Sequence, residues 1–263
     1  MSKAAAFFDL DKTLMAGSSG MQFARVAARS GIVSRRQLAG WGVEHLRYRL
    51  RGTTDEKTSE VLKVARELIT GLPATTVARM GPEVMTAVLP RVYPQMLVEV
   101  HAHQDAGRPC FIVSAAGNNV VETLATVLGM EGGIGTRYEI DAEGNFTGRL
   151  DGPFVYGPGK VTAMEEFAAR HDINLGESYA YSDSLSDLPM LRAVGNPVAV
   201  NPDPPLAAIA KEEGWQTLRF ERLGRRLTAI AVTVLATVAG FGASRVAAHR
   251  RPAPRRFPLR RGG

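Results

Sequence analysis

The 263-residue chain contains one cysteine, Cys110, so no internal disulfide can form. Cys110 opens the apolar run 110–113, a pattern that predicts a buried strand and a packed, unreactive thiol. A chain without disulfides fits a reducing compartment. The apolar N-terminal stretch ends at Asp9, which makes it too short for the core of a signal peptide. We therefore expect a cytoplasmic protein that is not exported by that route.

Acidic residues are absent from positions 222–263, although these positions carry ten arginines. The rest of the chain then has 22 basic against 26 acidic residues, a net charge of about −4, whereas the whole chain carries +6. The basic character therefore belongs to the C-terminal end. The body of the protein offers no positively charged surface for a phosphate backbone, and we expect no nucleic-acid partner.

Long uncharged runs are scarce, and the one of note covers residues 227–243. Its 17 residues are at the lower limit for a membrane span. We predict a hydrophobic C-terminal helix over 222–250 that could anchor the protein to a membrane, followed by a disordered basic tail over 251–263. The alternative is a surface helix followed by a solvated arm. Membrane association through this segment is thus one of two interpretations.

Strand and helix patterns alternate through most of the chain, which predicts an α/β fold with a Rossmann-like, doubly wound, mostly parallel sheet. The predicted strands cover residues 4–8, 110–114, 179–182 and 197–200, and the predicted helices 95–106, 119–128, 160–171 and 187–194. A turn-like segment predicts a hairpin over 138–149.

Residues 17–93 differ from this alternation, because their apolar residues recur at three- and four-residue spacing between Gly, Pro and Thr breaks. This pattern predicts about four amphipathic helices. We therefore expect a helical cap over 17–93 that is inserted into a catalytic core made of residues 1–16 and 94–221.

Two aspartates follow the first predicted strand directly, in Asp-Leu-Asp-Lys-Thr-Leu at positions 9–14. Ligands of open α/β sheets bind beyond the carboxyl ends of the strands, so Asp9 and Asp11 can face one site. Their mutual repulsion is costly unless a cation or a proton lies between them, and Mg²⁺ prefers carboxylate and phosphate oxygens. A carboxylate can also attack phosphorus. The alternative for this motif alone is a solvated acidic turn.

Three further segments carry polar side chains at the ends of predicted elements. Ser114 ends an apolar strand, where its hydroxyl and the following N–H groups could hold phosphoryl oxygens. Lys160 follows a Gly-Pro-Gly turn at a helix start, and its compact charge suits phosphate. Asp183 and Asp187 follow another apolar strand and could bind a cation, although Asp187 could equally cap a helix. Alone, each segment also has an ordinary structural interpretation.

The order and spacing of these four segments resemble the haloacid dehalogenase superfamily of phosphatases. Its motifs are Asp-x-Asp-x-Thr, a strand-end Ser or Thr, a Lys, and an acidic pair after a late strand, and all four occur here in order over about residues 4–200. The first motif and Tyr-Ser-Asp-Ser-Leu-Ser-Asp-Leu-Pro-Met-Leu at 181–191 are most similar to subfamily IB, which includes phosphoserine phosphatase. The joint match is specific, although each piece alone is not.

The resemblance implies a magnesium-dependent phosphatase that acts on a small phosphorylated substrate. It implies Asp9 as the nucleophile that forms an aspartyl phosphate, Asp11 as general acid and base, and Thr13 as a residue that orients the loop. The substrate phosphate would be bound by Ser114 and Lys160. The Mg²⁺ ion would be held by Asp9, Asp11 through its backbone carbonyl, Asp183 and, less directly, Asp187.

Two alternatives remain open at this point: a phosphotransferase that uses the same intermediate, and a non-catalytic membrane-associated binding protein of the same fold. In phosphoserine phosphatases a Glu just after the first motif contacts the substrate's amino group. The matching segment here, residues 15–20, has no acidic residue, which argues against phosphoserine. The sequence sets neither the substrate nor the oligomeric state.

Overall fold

The computed structural model of the chain describes residues 3–34, 36, 40 and 54–220. The predicted anchor helix over 222–250 and the tail over 251–263 lie outside these residues, so both stay predictions. Within the described part of the chain, no helix is long and apolar enough to cross a membrane.

Six parallel strands form the central sheet, in the spatial order β3-β2-β1-β6-β7-β8. They are β1 (Ala6–Asp9), β2 (Cys110–Gly117), β3 (Gly132–Thr136), β6 (Tyr179–Ser182), β7 (Asn196–Val200) and β8 (Gln216–Leu218). Two further strands, β4 (Tyr138–Ile140) and β5 (Phe146–Leu150), form a separate antiparallel hairpin. The order of the parallel strands reverses between β1 and β6, and such a switch point is where doubly wound sheets bind ligands.

Nine α-helices of the described residues connect and cover these strands. They are α1 (Ser19–Arg29), α2 (Thr54–Ile69), α3 (Ala74–Arg79), α4 (Gly81–Val88), α5 (Pro94–Asp105), α6 (Asn118–Val127), α7 (Pro158–Arg170), α8 (Leu188–Arg192) and α9 (Pro204–Glu212). The predicted Rossmann-like α/β fold is confirmed. The strands β3 and β8 and the helix α9 were not predicted.

The central strand β1 is buried on both faces, as expected for an apolar strand in a parallel sheet. Successive side chains of a strand point to opposite faces. Accordingly, Phe7 belongs to the core cluster that includes Met164 of α7, whereas the ring of Phe8 lies edge-on to His103 of α5. Helices therefore cover the sheet on both sides, which leaves its edges and strand ends for function.

The helices α1 to α4 fall within the segment predicted as a cap, and backbone hydrogen bonds join the two points where this segment leaves and re-enters the sheet region. The N–H of Tyr93 donates to the carbonyl of Leu14 at 2.9 Å, and the N–H of Ala16 donates to the carbonyl of Arg91 at 2.8 Å. A second link joins the loop after α2 to the hairpin, where the N–H of Gly71 donates to the carbonyl of Phe146 at 2.8 Å. Backbone hydrogen bonds therefore join the two ends of the segment to each other and connect the segment to the hairpin β4–β5.

The thiol of Cys110 is buried in β2, as predicted. Burial and, to a smaller extent, the nearby Glu131 carboxylate raise its pKa to about 12, against the opposing effect of Arg108. The Sγ atom lies 3.5 Å from the carbonyl oxygen of Val100 on α5. An uncharged, enclosed thiol of this kind packs as a small apolar group.

A chain of hydrogen bonds crosses the interface between α5 and the sheet. Arg108 Nε donates to His103 Nδ1 at 2.7 Å, so Nδ1 must be an acceptor and the ring proton lies on Nε2. Nε2 then donates to the hydroxyl of Tyr181 at 2.7 Å, and that hydroxyl lies 3.2 Å from Glu99 Oε2. The arrangement holds the imidazole neutral, and burial, together with the charge of Arg108, lowers the pKa of His103 from 6.5 to about 4.

We expect this histidine to make the fold less stable in acid. Between the two pKa values the unfolded chain binds a proton that the native state does not, so stability falls as the pH drops from about 6.5 towards 4. In His103→Gln this loss should be smaller by roughly 2 kcal/mol. Urea unfolding of wild type and His103→Gln at neutral and acidic pH measures how much stability each protein loses in acid. Equal losses would contradict a lowered pKa of His103.

Candidate active site

The predicted site residues meet at the carboxyl end of the sheet. Asp9 is the last residue of β1, and its backbone pairs with Val113 of β2, so Ser114 lies one residue beyond it on the neighbouring strand. Asp183 follows the last residue of β6, which pairs with β1 on its other side. Asp9, Ser114 and Asp183 are all more than nine-tenths buried. The topology therefore brings side chains from three distant segments to the switch point.

Lys160 reaches this place from the first turn of α7. The turn before it needs glycine twice, because Gly157 has φ +52° and a Cβ on Gly159 would lie 1.9 Å from the carbonyl oxygen of Phe154. The Lys160 ammonium is buried and donates to Asp9 Oδ1 at 2.5 Å and to Asp187 Oδ2 at 2.7 Å. Lys160, which the sequence assigned to phosphate, is therefore the centre of a buried ionic cluster.

Asp187 supports this lysine and does not cap a helix. It stands at the N-cap position of α8, yet its side chain accepts no hydrogen bond from that helix. Its Oδ2 atom accepts from Lys160 and from the hydroxyl of Ser182 at 2.7 Å, and Ser182 is fully buried. The capping alternative is therefore wrong. Ser182 was not singled out in the sequence, because Asp183 and Asp187 were the residues of that segment considered for the site.

The loop after β1 holds the other two residues of the first motif. Thr13 Oγ1 donates to Asp9 Oδ2 at 3.0 Å, which fixes the second oxygen of the Asp9 carboxylate. Asp11 Oδ1 accepts from the backbone N–H of Ser19, in the first turn of α1, at 2.8 Å. Lys12 has φ +63°, and its Nζ lies 3.7 Å from Asp183 Oδ2. The contacts of Ser19 and Lys12 were not predicted.

Burial dominates the electrostatics of the site. It raises the pKa of Asp9 to about 8, with the carboxylates of Asp187 and Asp183 adding to the shift and Lys160 opposing it. It also raises the pKa of Asp183 to about 7, against Lys12 and with the help of Asp187. Burial opposes the charge of Lys160, but Asp187 and Asp9 outweigh it and raise its pKa above the usual range. Among the described residues, three buried carboxylates thus lie near one buried ammonium, which is hydrogen-bonded to two of them, Asp9 and Asp187.

This charge balance and the donor chemistry fit a magnesium ion. In the described part of the chain, no three His, Cys, Asp or Glu side chains are grouped as a cage for a metal. Mg²⁺ does not require such a cage, because it is usually held by one or two carboxylates together with water and substrate phosphate oxygens. Asp9 and Asp183 supply carboxylates at adjacent strand ends, and no buried cation of the described residues is hydrogen-bonded to Asp183.

Acidic residues and a lysine at the switch point of a parallel sheet define an α/β protein with a site suited to phosphate. The model of the haloacid dehalogenase-like hydrolases matches residues 6–192 of this chain. The chain belongs to that family, as its motifs predicted.

Named relatives support the membership. The chain is 35% identical over 253 residues to phosphoserine phosphatase SerB1 of Mycobacterium tuberculosis. The alignment covers 94% of this chain and 81% of that protein. It is 30% identical over 220 residues to a histidinol-phosphatase of Neisseria meningitidis. That alignment covers 82% of this chain and 98% of the histidinol-phosphatase. A crystal structure of a Bordetella pertussis protein of unknown function superposes with a TM-score of 0.72 at 32% identity, covering 83% of this chain and 99% of that one.

We expect removal of the buried ammonium to destabilise the protein strongly. Lys160→Met leaves Asp9 and Asp187 without their shared cation, and such a loss costs about 3–5 kcal/mol. The cost should be greater near pH 8.5 than near pH 6.5, since Asp9, whose pKa burial raises to about 8, takes up a proton at the lower pH.

Urea unfolding without divalent cations measures this cost. The control is Lys63→Met, which breaks an exposed pair with Glu67 and should change stability by less than about 0.5 kcal/mol. Equal effects of the two substitutions would show that the buried cluster has no special energetic role.

Proposed function

We propose that this hydrolase is a magnesium-dependent phosphatase that hydrolyses a small phosphomonoester through an aspartyl phosphate on Asp9. The observation that carries the proposal is the buried contact of 2.5 Å between the Lys160 ammonium and the Asp9 carboxylate at the switch point. The two named relatives are both phosphatases, and their names give different substrates. The reaction class is therefore better supported than any one substrate.

Asp9 is the residue that we assign as the nucleophile. Lys160 binds its Oδ1 and Thr13 binds its Oδ2, so the carboxylate is held in one orientation. In the first step an Asp9 oxygen forms a bond to phosphorus while the bond to the leaving oxygen breaks. In the second step water attacks the same phosphorus, the bond to Asp9 breaks and phosphate is released. Phosphoryl transfer depends mainly on such positioning and on charge stabilisation.

Asp11 is the residue proposed to move the proton. It gives a proton to the leaving oxygen in the first step and takes one from the attacking water in the second. The N–H of Ser19 holds its Oδ1 at 2.8 Å, which leaves Oδ2 for the proton transfer. One carboxylate can thereby serve both steps, since the two steps return it to its starting state.

The remaining site residues would bind and neutralise the phosphoryl group. Ser114 and Lys160 are assigned to its oxygens, and Asp187 and Ser182 hold Lys160 in place. Mg²⁺ would be held by Asp9, by the backbone carbonyl of Asp11 and by Asp183, with Asp187 acting at most through water. When bound, the ion offsets negative charge on the phosphoryl group and on the buried carboxylates.

We also assign residues 17–93 to a cap, and residues 1–16 and 94–221 to the core. The cap would exclude water and select the leaving group, as lids over hydrolytic sites do. Its first helix begins beside Asp11, because Ser19 of α1 binds that side chain. Cap and proton-transfer residue are thus in direct contact.

The first test is turnover of an aryl phosphate by wild type, Asp9→Asn and Asp11→Asn. Asp9→Asn should reduce the rate to background while the protein stays folded, because an amide cannot accept the phosphoryl group. Asp11→Asn should lower kcat by roughly 10²- to 10⁴-fold. Chelation of divalent cations should abolish wild-type activity, and added Mg²⁺ should restore it.

The control is Asp172→Asn, at an exposed position after α7, which should leave the rate unchanged. Wild-type rates in Asp9→Asn, with circular dichroism showing a folded protein, would end the nucleophile assignment. Loss of the fold is a separate outcome that the same spectra detect.

A further inference from the structure

The loop that carries Asp183 is held by a residue outside the four motifs. Asp203 lies in the connection between β7 and α9. Its backbone N–H donates to the carbonyl oxygen of Asp183 at 2.8 Å. Its Oδ2 atom accepts from the backbone N–H of Leu185 at 3.1 Å. Asp203 therefore holds this loop at Asp183 itself and again just beyond it.

The helix that Asp203 caps explains why its carboxylate can also serve the loop. Asp203 is the N-cap of α9, and its Oδ1 atom accepts from the N–H of Leu206 at 2.9 Å. The two intervening residues, Pro204 and Pro205, have no N–H that needs a cap. One carboxylate oxygen thus completes the helix start, and the other is left for Leu185. A serine would cap α9 as well, so the second contact is one that the helix itself does not require.

The support that Asp203 gives is stiff, whereas the Asp183 side chain is loosely held. Pro202 and Pro204 restrict the backbone on both sides of Asp203, and β7 is paired in register with β6, the strand that leads into Asp183. The Asp183 carboxylate makes a longer contact, an ion pair of 3.7 Å with the half-exposed Lys12. Its position therefore depends mainly on the backbone that Asp203 holds.

We propose that Asp203 is a positioning residue that holds the Asp183 loop in the conformation that binds the divalent cation. The proposal rests on the proposed function, in which Asp183 is a magnesium ligand, and adds a residue that acts through the loop backbone. Groups that orient a metal ligand typically change metal affinity by roughly 10- to 100-fold. Asp203 also places a negative charge near Asp183, whose pKa it helps to raise, so a test must separate position from charge.

The test measures Mg²⁺ affinity without substrate, from the gain in stability to urea over a series of Mg²⁺ concentrations at constant ionic strength. Asp203→Ser keeps the cap of α9 and loses the contact with Leu185. Asp203→Glu keeps the charge and displaces the oxygens by one carbon. Both variants should need roughly 10-fold more Mg²⁺ than wild type for the same gain. In turnover of an aryl phosphate, the Mg²⁺ requirement should rise likewise, while KM at saturating Mg²⁺ stays unchanged.

A further variant, Leu185→Pro, removes the same hydrogen bond from the other side and leaves the charge of Asp203 in place. Proline lacks the N–H and is tolerated at the first position of the short 3-10 turn Leu185–Asp187, because the preceding Ser184 is extended. Leu185→Pro should weaken Mg²⁺ binding to a similar extent, and its combination with Asp203→Ser should add little.

The matched control is Leu206→Val, which reduces the packing of a fully buried side chain on α9 and keeps the backbone N–H that Asp203 caps. This variant should lower the stability to urea without changing the affinity for Mg²⁺. A loss of affinity as large as that of Asp203→Ser would contradict the proposal, because general destabilisation would then explain both.

The remaining outcomes separate the positioning role from the proposed function. Wild-type affinity for Mg²⁺ in both Asp203→Ser and Leu185→Pro would overturn the proposal. Weak binding in Asp203→Ser alone would also overturn it, because charge and not position would be the cause. Should Asp203→Glu fail to fold, Leu185→Pro still makes this distinction. If wild type gains no stability from Mg²⁺, the metal assignment of the proposed function is wrong, and the positioning role falls with it.

Discussion

The buried ion cluster around Lys160 is the constraint on which the rest of the site depends. A charged group removed from water needs partners, and Lys160 has two carboxylates at 2.5 and 2.7 Å. These contacts hold Asp9, Lys160 and Asp187, which come from the first, third and fourth motifs, together in one buried cluster. Asp183 stands beside the cluster with a raised pKa, so the site as a whole still favours an added positive charge.

The fold makes this cluster possible because its members come from separate parts of the chain. Asp9 ends β1 and Asp187 follows β6, and these strands are neighbours only because the strand order reverses between them. Lys160 comes from α7, on the face of the sheet that packs against Phe7. The cap segment reaches the same place through the Ser19–Asp11 hydrogen bond. In the proposed mechanism, this hydrogen bond would link the cap to the residue assigned to proton transfer.

Much of this arrangement could be predicted from the sequence, and the failures have physical causes. The order of the four motifs predicted the family and the fold because strong apolar strands precede the acidic residues. The strand β3 was missed because it is rich in glycine. Cβ atoms at Gly133 and Gly135 would lie 2.6 Å from Val121 and Asn118 of α6, so close packing removes the side chains that mark a strand.

Contacts within the site were harder to foresee than the residues that form it. The bond from Ser19 to Asp11 comes from a backbone N–H, which any residue except proline supplies, so the residue type carries no signal. No sequence pattern predicted the contact of Ser182 with Asp187, and Asp187 itself has the pattern of a helix cap. Only the three-dimensional structure shows that Asp187 binds Lys160 instead.

The central claim is that phosphate passes through Asp9 on its way to water. The most direct measurement is acid quenching of the wild-type enzyme during turnover, followed by mass spectrometry of its peptides. The account predicts a transient phosphoryl group on the peptide that contains Asp9, and on Asp9 within it. A phosphoryl group on another residue, or none at any time during turnover, would contradict the account.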